Sequence, residues 1–282
     1  METYIYWCPI IFMQKVDFVI FSKNRALQLK ALLESFFHFV DTPLVNSVTV
    51  LYKSDPDYLE GYKKLIGAFT SVNFIEESDF RGQTLSIIEG SFNFLCFLVD
   101  DIIFYKKVDS PITPKESDVC FSLRMGENSR YSHPANSWYN SPKFQHEEKH
   151  IIWDWTSGEY DFGYPFSLDG HVFRKNDILQ TLEHAIFRSP NSLENALVYS
   201  NPLMEKFKPL KMRSFHNSCL VGIPVNRVND EVRNRFGLEF FMSESDLQSL
   251  FNEGKRIAWE IMDFSTVQGP HKEIEFKFNT EI

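Results

Sequence analysis

Between residues 16 and 104 short apolar runs alternate with segments of helical periodicity, and that alternation leaves few folds open. Val16-Asp17-Phe18-Val19-Ile20-Phe21 reads as a first strand. Leu29, Leu32, Leu33, Phe36, Phe37 and Val40 then fall at i, i+3, i+4, i+7, i+8 and i+11, one face of a helix that Ser22 or Asn24 is placed to cap. Residues 48–52 read as a second strand. Asp55-Pro56 opens a second helix whose apolar face is Tyr58, Tyr62, Leu65, Ile66 and Phe69. A third strand at 72–75 leads to a shorter helix around Leu85 and Ile88, which Gly90 stops. Strands separated by helices at these intervals predict βαβ units and an α/β fold with a mostly parallel central sheet flanked by helices.

The fourth strand is Phe94-Leu95-Cys96-Phe97-Leu98-Val99, followed by Asp100-Asp101 and a second apolar stretch, Ile102-Ile103-Phe104. A run without alternation belongs to a strand buried on both faces. Two carboxylates at its end need a counter-charge, because a buried charge is costly unless it is paired or bound to metal. A divalent cation would serve; so would an ion pair with Lys106 or Lys107. Ligands of open α/β sheets bind outside the carboxyl ends of the strands, where Asp100 and Asp101 would lie.

The second half is less regular. Residues 119–123 read as a strand, and residues 126–165 as a long loop holding Trp138, Trp153, Trp155 and Tyr160. Long aromatic-rich loops are usually functional, and rings with a polar edge suit half-wet sugar-binding surfaces. Strands at 171–174 and 218–223, helices at 176–187, from Pro190 and at 243–252, and a tail strand at 274–278 complete the reading. No linker or repeat interrupts it, so one domain is expected.

The 282 residues, 43% hydrophobic and 16% aromatic, can bury a large core. A net charge of −9 argues against a nucleic-acid groove. Cys8, Cys96, Cys120 and Cys219 have no CxxC spacing, and no Asn-x-Ser/Thr acceptor occurs, which together point to free thiols and a cytoplasmic setting. The apolar run at 4–13 is too short to span a bilayer and lacks a basic flank, so no transmembrane segment is expected, and a peripheral membrane contact stays open.

Several constellations carry chemistry. Ser22-Lys23-Asn24-Arg25 sits where a strand hands over to a helix, a natural phosphate-binding place, and Tyr52, Ser54 and Arg81 stand at further strand ends. No glycine-rich dinucleotide or P-loop fingerprint is present. Asp169, before Gly170-His171, and Glu194, in the first turn of a helix, are the carboxylates placed to act as a base, although a first-turn Glu is also ordinary capping. His271 follows Gly269-Pro270 and could join a divalent-metal site. His146-Glu147-Glu148-Lys149-His150 matches the zinc-protease pattern, which works only on a helix with a third ligand downstream.

Val99-Asp100-Asp101-Ile102-Ile103-Phe104, Val19-Ile20-Phe21-Ser22-Lys23-Asn24-Arg25 and Gly170-His171-Val172-Phe173-Arg174, in this order, resemble the DxD-type, nucleotide-sugar-dependent glycosyltransferases of the GT-A, Rossmann-like fold. The resemblance implies a nucleotide-sugar-binding half at 16–125 and an acceptor-binding half with the tail at 126–282. It implies Mn²⁺ or Mg²⁺ on Asp101, with Asp100 on the ribose or the metal and His271 as a further ligand. Ser22, Lys23, Asn24, Arg25, Tyr52, Ser54 and Arg81 would line the nucleotide, a UDP-sugar by preference. Trp138, Trp153, Trp155, Tyr160 and His171 would meet a saccharide or glycan acceptor. Glu194, or else Asp169, would be the base of an inverting transfer. The motif here is a two-acid version, and Glu194 is followed by Asn195 where Glu-Asp is more usual. A non-catalytic sugar- or nucleotide-binding module on the same fold, and a zinc hydrolase on His146 and His150, are the competing expectations.

Overall fold

In the computed structural model, which describes residues 14–228 and 235–280, β1 is Val16–Lys23, and its alternate side chains face two different cores. Phe18 and Ile20 join one apolar cluster, while Val19 and Phe21 join the other. The run at 4–13, with Cys8, lies outside the described residues.

The other strands are β2 (Val45–Lys53), β3 (Asn73–Glu76), β4 (Phe94–Val99), β5 (Ile102–Phe104), β6 (Asp118–Ser122), β7 (Tyr131–Ser132), β8 (Ser137–Trp138), β9 (Gln145–His146), β10 (His150–Trp153), β11 (His171–Arg174), β12 (Lys211–Phe215), β13 (Leu220–Gly222), β14 (Lys255–Ile257) and β15 (Phe278–Thr280). A nine-stranded sheet runs in the order β3-β2-β1-β4-β11-β6-β12-β10-β9. From the pairings, β3, β2, β1, β4, β6, β12 and β9 point one way, and β11 and β10 point the other. The sheet is thus mostly parallel, with β11 inserted in reverse between β4 and β6.

The helices are α1 (Ala26–Phe39), α2 (Leu59–Ala68), α3 (Phe80–Gly90), α4 (Lys175–His184), α5 (Pro190–Val198), α6 (Asn201–Phe207) and α7 (Glu244–Asn252). Leu29, Leu32 and Phe36 of α1, Tyr62 and Leu65 of α2, and Leu247 and Phe251 of α7 pack on one face of the sheet. Ile88 of α3, Ile178 and Leu182 of α4, Leu193 and Leu197 of α5 and Phe207 of α6 pack on the other. Burying apolar surface on both faces is the main favourable term holding the three layers together.

Several local expectations change. Neither Ser22 nor Asn24 caps α1: Ser22 remains in β1, and Arg25 occupies the N-cap position without a side-chain cap bond. Asn24 instead adopts φ 56°, a left-handed conformation that asparagine tolerates, and exchanges hydrogen bonds with Asp55. The stretch 126–165 is only partly loop, because β10 lies within the central sheet between β12 and β9. The strands β12 and β10 and the helix α6 are too short for periodicity to announce them. Cys96, Cys120 and Cys219 are buried free thiols. Among the described residues no helix is long and apolar enough to cross a membrane.

Candidate active site

Asp100 and Asp101 leave β4 at the rim where β1, β2 and β6 also end. Asp100 is committed on both oxygens: Oδ1 accepts from Arg25 Nη1 at 3.0 Å and Oδ2 from the Lys23 backbone N–H at 3.0 Å. Asp101 Oδ2 accepts from the same Arg25 Nη1 at 3.3 Å. Arg25 is itself buried and donates through Nη2 to the Asn226 carbonyl at 2.6 Å. The counter-charge of the acid pair is therefore Arg25, not Lys106 or Lys107. Burial pushes Asp101 up to about 6 against the pull of Arg25, with Asp100 and Asp169 adding to the rise.

The backbone fixes Asp101 from the other side. Ile223 N–H donates to the Asp101 carbonyl at 2.8 Å, and β13 pairs with β5 through Gly222 and Ile102. Gly222 also bridges to His271, accepting from Lys272 N–H at 3.0 Å and donating to the Pro270 carbonyl at 2.8 Å. A Cβ on Gly222 would come within 2.7 Å of His271 Cδ2, so only glycine lets the tail approach so closely. One short strand thus ties the Asp100-Asp101 corner to His271.

His271 Nε2 lies 3.3 Å from Asp169 Oδ2, and its buried Nδ1 has no partner among the described residues. Arg124, just past β6, donates to the same Asp169 oxygen at 3.1 Å, to Asp161 at 2.8 Å, and to the Ser167 hydroxyl. Burial disfavours the charge on Asp169, yet the His271 hydrogen bond and Arg124 outweigh it and hold this carboxylate below its ordinary range. Burial also tends to discharge His271, but Asp169 raises it overall.

Gly170 explains how Asp169 arrives there. At φ 93°, with its missing Cβ 2.7 Å from a Leu220 methyl, it makes a turn open to few other residues. Its N–H bonds Phe97 and its carbonyl bonds Leu123, which pins the turn to the strands on either side.

Glu194 is not the cap of α5. Ser189 and Ser192 form that capping box between themselves, while Glu194 accepts the Leu168 N–H at 3.1 Å. Burial, then the neighbouring Asp169, raises Glu194 above the usual carboxylate range. The two carboxylates are therefore pushed apart, one held ionised and the other poised to exchange a proton.

These groups share one cavity of about 820 Å³. Ser22, Lys23, Arg25, Asp100, Asp101, Tyr160, Asp169, Glu194 and His271 all line it. Arg124, Asp161, Tyr164 and Asn226 line it as well. Sequence reasoning missed these four, although Arg124 ends an apolar strand as Asp100 does, and the same argument would have found it.

Other candidates lie off the cavity walls. Asn24 is turned to Asp55. Tyr52 is buried with its ring stacked on Tyr62, centroids 4.5 Å apart. Ser54 bonds the Asp55 carbonyl at the surface. Arg81 is spent on the Glu183 and Ala185 carbonyls, where it ties α3 to the end of α4. Trp153 and Trp155 are core residues, and Trp153 Nε1 donates to the Phe162 carbonyl at 3.0 Å. Trp138 stands exposed on the β7–β8 hairpin beside Tyr131. His171 is wholly buried, with Nδ1 on the Pro165 carbonyl, and burial pushes it down to about 3. The His146–His150 segment is a β-hairpin, not a helix, and His150 is packed against Phe121 and Phe215. The zinc-protease reading fails on that geometry.

The donor set suits a small hard cation in part. Each Asp100 oxygen already accepts one hydrogen bond, from Lys23 N–H or Arg25, and keeps a further lone pair. Among the described residues, Asp101 has a side-chain partner on Oδ2 alone, and His271 Nδ1 has none. A site that supplies one or two side chains and leaves the remaining positions to substrate phosphate and water is the usual manner of binding Mg²⁺.

No protein-family model matches the chain. It is similar to the "Bifunctional glycosyltransferase pgtA" of Dictyostelium discoideum, 23% identical over 277 residues, an alignment that covers 86% of this chain. The chain spans 36% of that relative's length. Among solved structures it is similar to the S. aureus TarS crystal structure, with a TM-score of 0.42 and 14% identity, over 72% of this chain and 35% of that one.

Proposed function

We propose that the protein is a glycosyltransferase that moves a sugar from a nucleotide-diphosphate donor, a UDP-sugar by preference, to a hydroxyl of a saccharide or glycan acceptor. One observation carries the reading: the Asp100–Asp101–Arg25 corner and the Asp169–Glu194–Arg124–His271 cluster open into a single cavity at the carboxyl ends of the parallel strands. The likeness to a relative named as a glycosyltransferase over most of this chain supports the same reading.

In this mechanism the donor lies along the ends of β1 and β4, with Ser22 and Lys23 beside it. Arg25 holds Asp101 facing the cavity. Asp101 and His271 would hold Mn²⁺ or Mg²⁺, and such an ion, when bound, neutralises the charge of the departing diphosphate. Arg124 keeps Asp169 ionised, which favours the positive charge that develops on the sugar. Glu194 takes the proton from the acceptor hydroxyl as its oxygen bonds to the anomeric carbon. The bond from that carbon to the diphosphate breaks, and its electron pair leaves with the nucleotide. Tyr160 and Tyr164 line the same cavity, Tyr164 within electrostatic reach of Glu194, and help to position the acceptor and exclude water. A single displacement of this kind inverts the anomeric centre.

The test is a screen of nucleotide sugars for donor hydrolysis and transfer with Mn²⁺ present. Release of nucleoside diphosphate by the wild-type protein and its loss in Asp101→Asn supports the proposal. Tight binding of UDP without turnover of any donor would favour a non-catalytic binding module instead.

A further inference from the structure

The rim of the sheet carries a second cluster of titratable groups, beyond the cavity. Glu127 lies past the end of β6, His146 belongs to the edge strand β9, and His216 follows β12 directly. Their ligating atoms all fall within 4.8 Å of one another, and none of the three residues lines the cavity. Glu127 Oε1 is 2.6 Å from His146 Nε2 and 3.7 Å from His216 Nδ1. The two imidazoles lie 17° from parallel with centroids 5.7 Å apart.

The backbone assembles this group before any ligand arrives. Glu127 N–H donates to the His216 carbonyl at 2.8 Å. His146 pairs with Ile151 across the β9–β10 hairpin, and His150 of β10 pairs with Phe215 of β12. Three segments distant in sequence are thus locked with their side chains on one spot.

The orientation of the His216 ring adds to this geometry. Its Nε2 lies 3.2 Å from the Glu147 carbonyl oxygen, which can only accept, so Nε2 carries the proton. Nδ1 then faces Glu127 Oε1 at 3.7 Å, beyond hydrogen-bond distance, so the two atoms are brought together without being bonded to each other. An imidazole whose other nitrogen donates to a backbone carbonyl is the arrangement found at metal-ligating histidines. Two imidazoles and one carboxylate suit zinc, with a fourth position left for water at an exposed site.

We propose that Glu127, His146 and His216 bind a zinc ion that clasps the edge hairpin β9–β10 to the segments following β6 and β12. The site shares only His146 with the zinc-protease pattern. Glu147 is instead paired with Arg213 and Lys115. The proposal does not depend on the transferase reading.

The full chain, stripped with a chelator, would be titrated with zinc chloride against a chromogenic zinc indicator, and its heat unfolding followed with and without the metal. The wild-type chain and Asp101→Asn should each take up a zinc ion that raises the unfolding temperature. His146→Gln and Glu127→Gln, both at half-exposed positions, should each weaken that uptake by at least about tenfold and abolish the thermal shift. The proposal is overturned if the only zinc bound is lost in Asp101→Asn, if no zinc binds, or if His146→Gln and Glu127→Gln bind it as the wild-type chain does.

Discussion

Arg25 donates through a single nitrogen to both Asp100 and Asp101, at 3.0 and 3.3 Å, from a position where its own side chain is only 8% exposed. Removing it would strand two carboxylates at the end of a core strand. Arg25→Ala should therefore destabilise the protein by about 3–5 kcal/mol, the usual cost of breaking a buried ion pair on one side. Urea unfolding would measure it. A loss below about 1 kcal/mol, within the range of an exposed pair, would mean that water already compensates the two acids.

Asp101→Asn should abolish transfer while leaving the unfolding midpoint close to that of the wild type, because Asp100 keeps its bonds to Arg25 and Lys23. Chelation should silence the wild-type enzyme and Mn²⁺ should restore it, whereas added metal should not rescue Asp101→Asn. Full activity in this variant would remove Asp101 from the mechanism.

Glu194→Gln should lower turnover by about 10²–10⁴-fold, the usual contribution of a positioned base. In the wild type, activity should fall with decreasing pH along a limb set by a group titrating above the ordinary glutamate range. The stability effect has the opposite sense. Folded Glu194 holds its proton more tightly than the unfolded chain does. Its contribution to stability is thus complete below the ordinary glutamate value and is lost as pH rises to the raised one. Glu194→Gln should consequently be as stable as the wild type or more so at neutral pH, as thermal melts across a pH series would show.

Trp153 and Tyr160 should behave as different kinds of residue. Trp153→Ala removes a ring packed on Phe144 and Phe162 and should cost about 3–5 kcal/mol of stability. Tyr160→Ala, at a half-exposed position on the cavity wall, should leave stability nearly unchanged and raise the acceptor KM. Equal effects of the two substitutions on the acceptor KM would restore Trp153 to the binding surface.

Gly170→Ala should destabilise, since alanine meets both a positive φ and a Leu220 methyl at 2.7 Å. The displaced turn carries Asp169, so kcat should fall more than KM rises.

The periodic first half of the chain was legible because each strand and helix there carries its own pattern, as in the Leu29-to-Val40 face of α1. The Asp100-Asp101 corner was legible as a place where charge needs an answer. What answers it was not, since Arg25 lies 75 residues away in sequence and no local signal pairs the two. The aromatic stretch misled for a related reason. Trp153 sits in a four-residue strand that acquires its identity only by pairing with β12, and such a strand looks like loop when read alone. Glu194 resembled a capping residue because acids favour a first helical turn; in α5 the first turn holds no acid, Glu194 falls beyond it, and the Ser189–Ser192 box supplies the cap.

The reversed strand β11 has a consequence of its own. Because it descends between β4 and β6, its beginning faces the cleft, and the chain that feeds it delivers Tyr160, Tyr164 and Asp169 to one wall. The ends of β1, β2 and β4, strands completed earlier in the chain, give the same cavity Lys23, Lys53, Asp100 and Asp101. The stretch before β11 can therefore be lengthened or rewritten, changing which molecules are admitted, while the strand ends keep their shape.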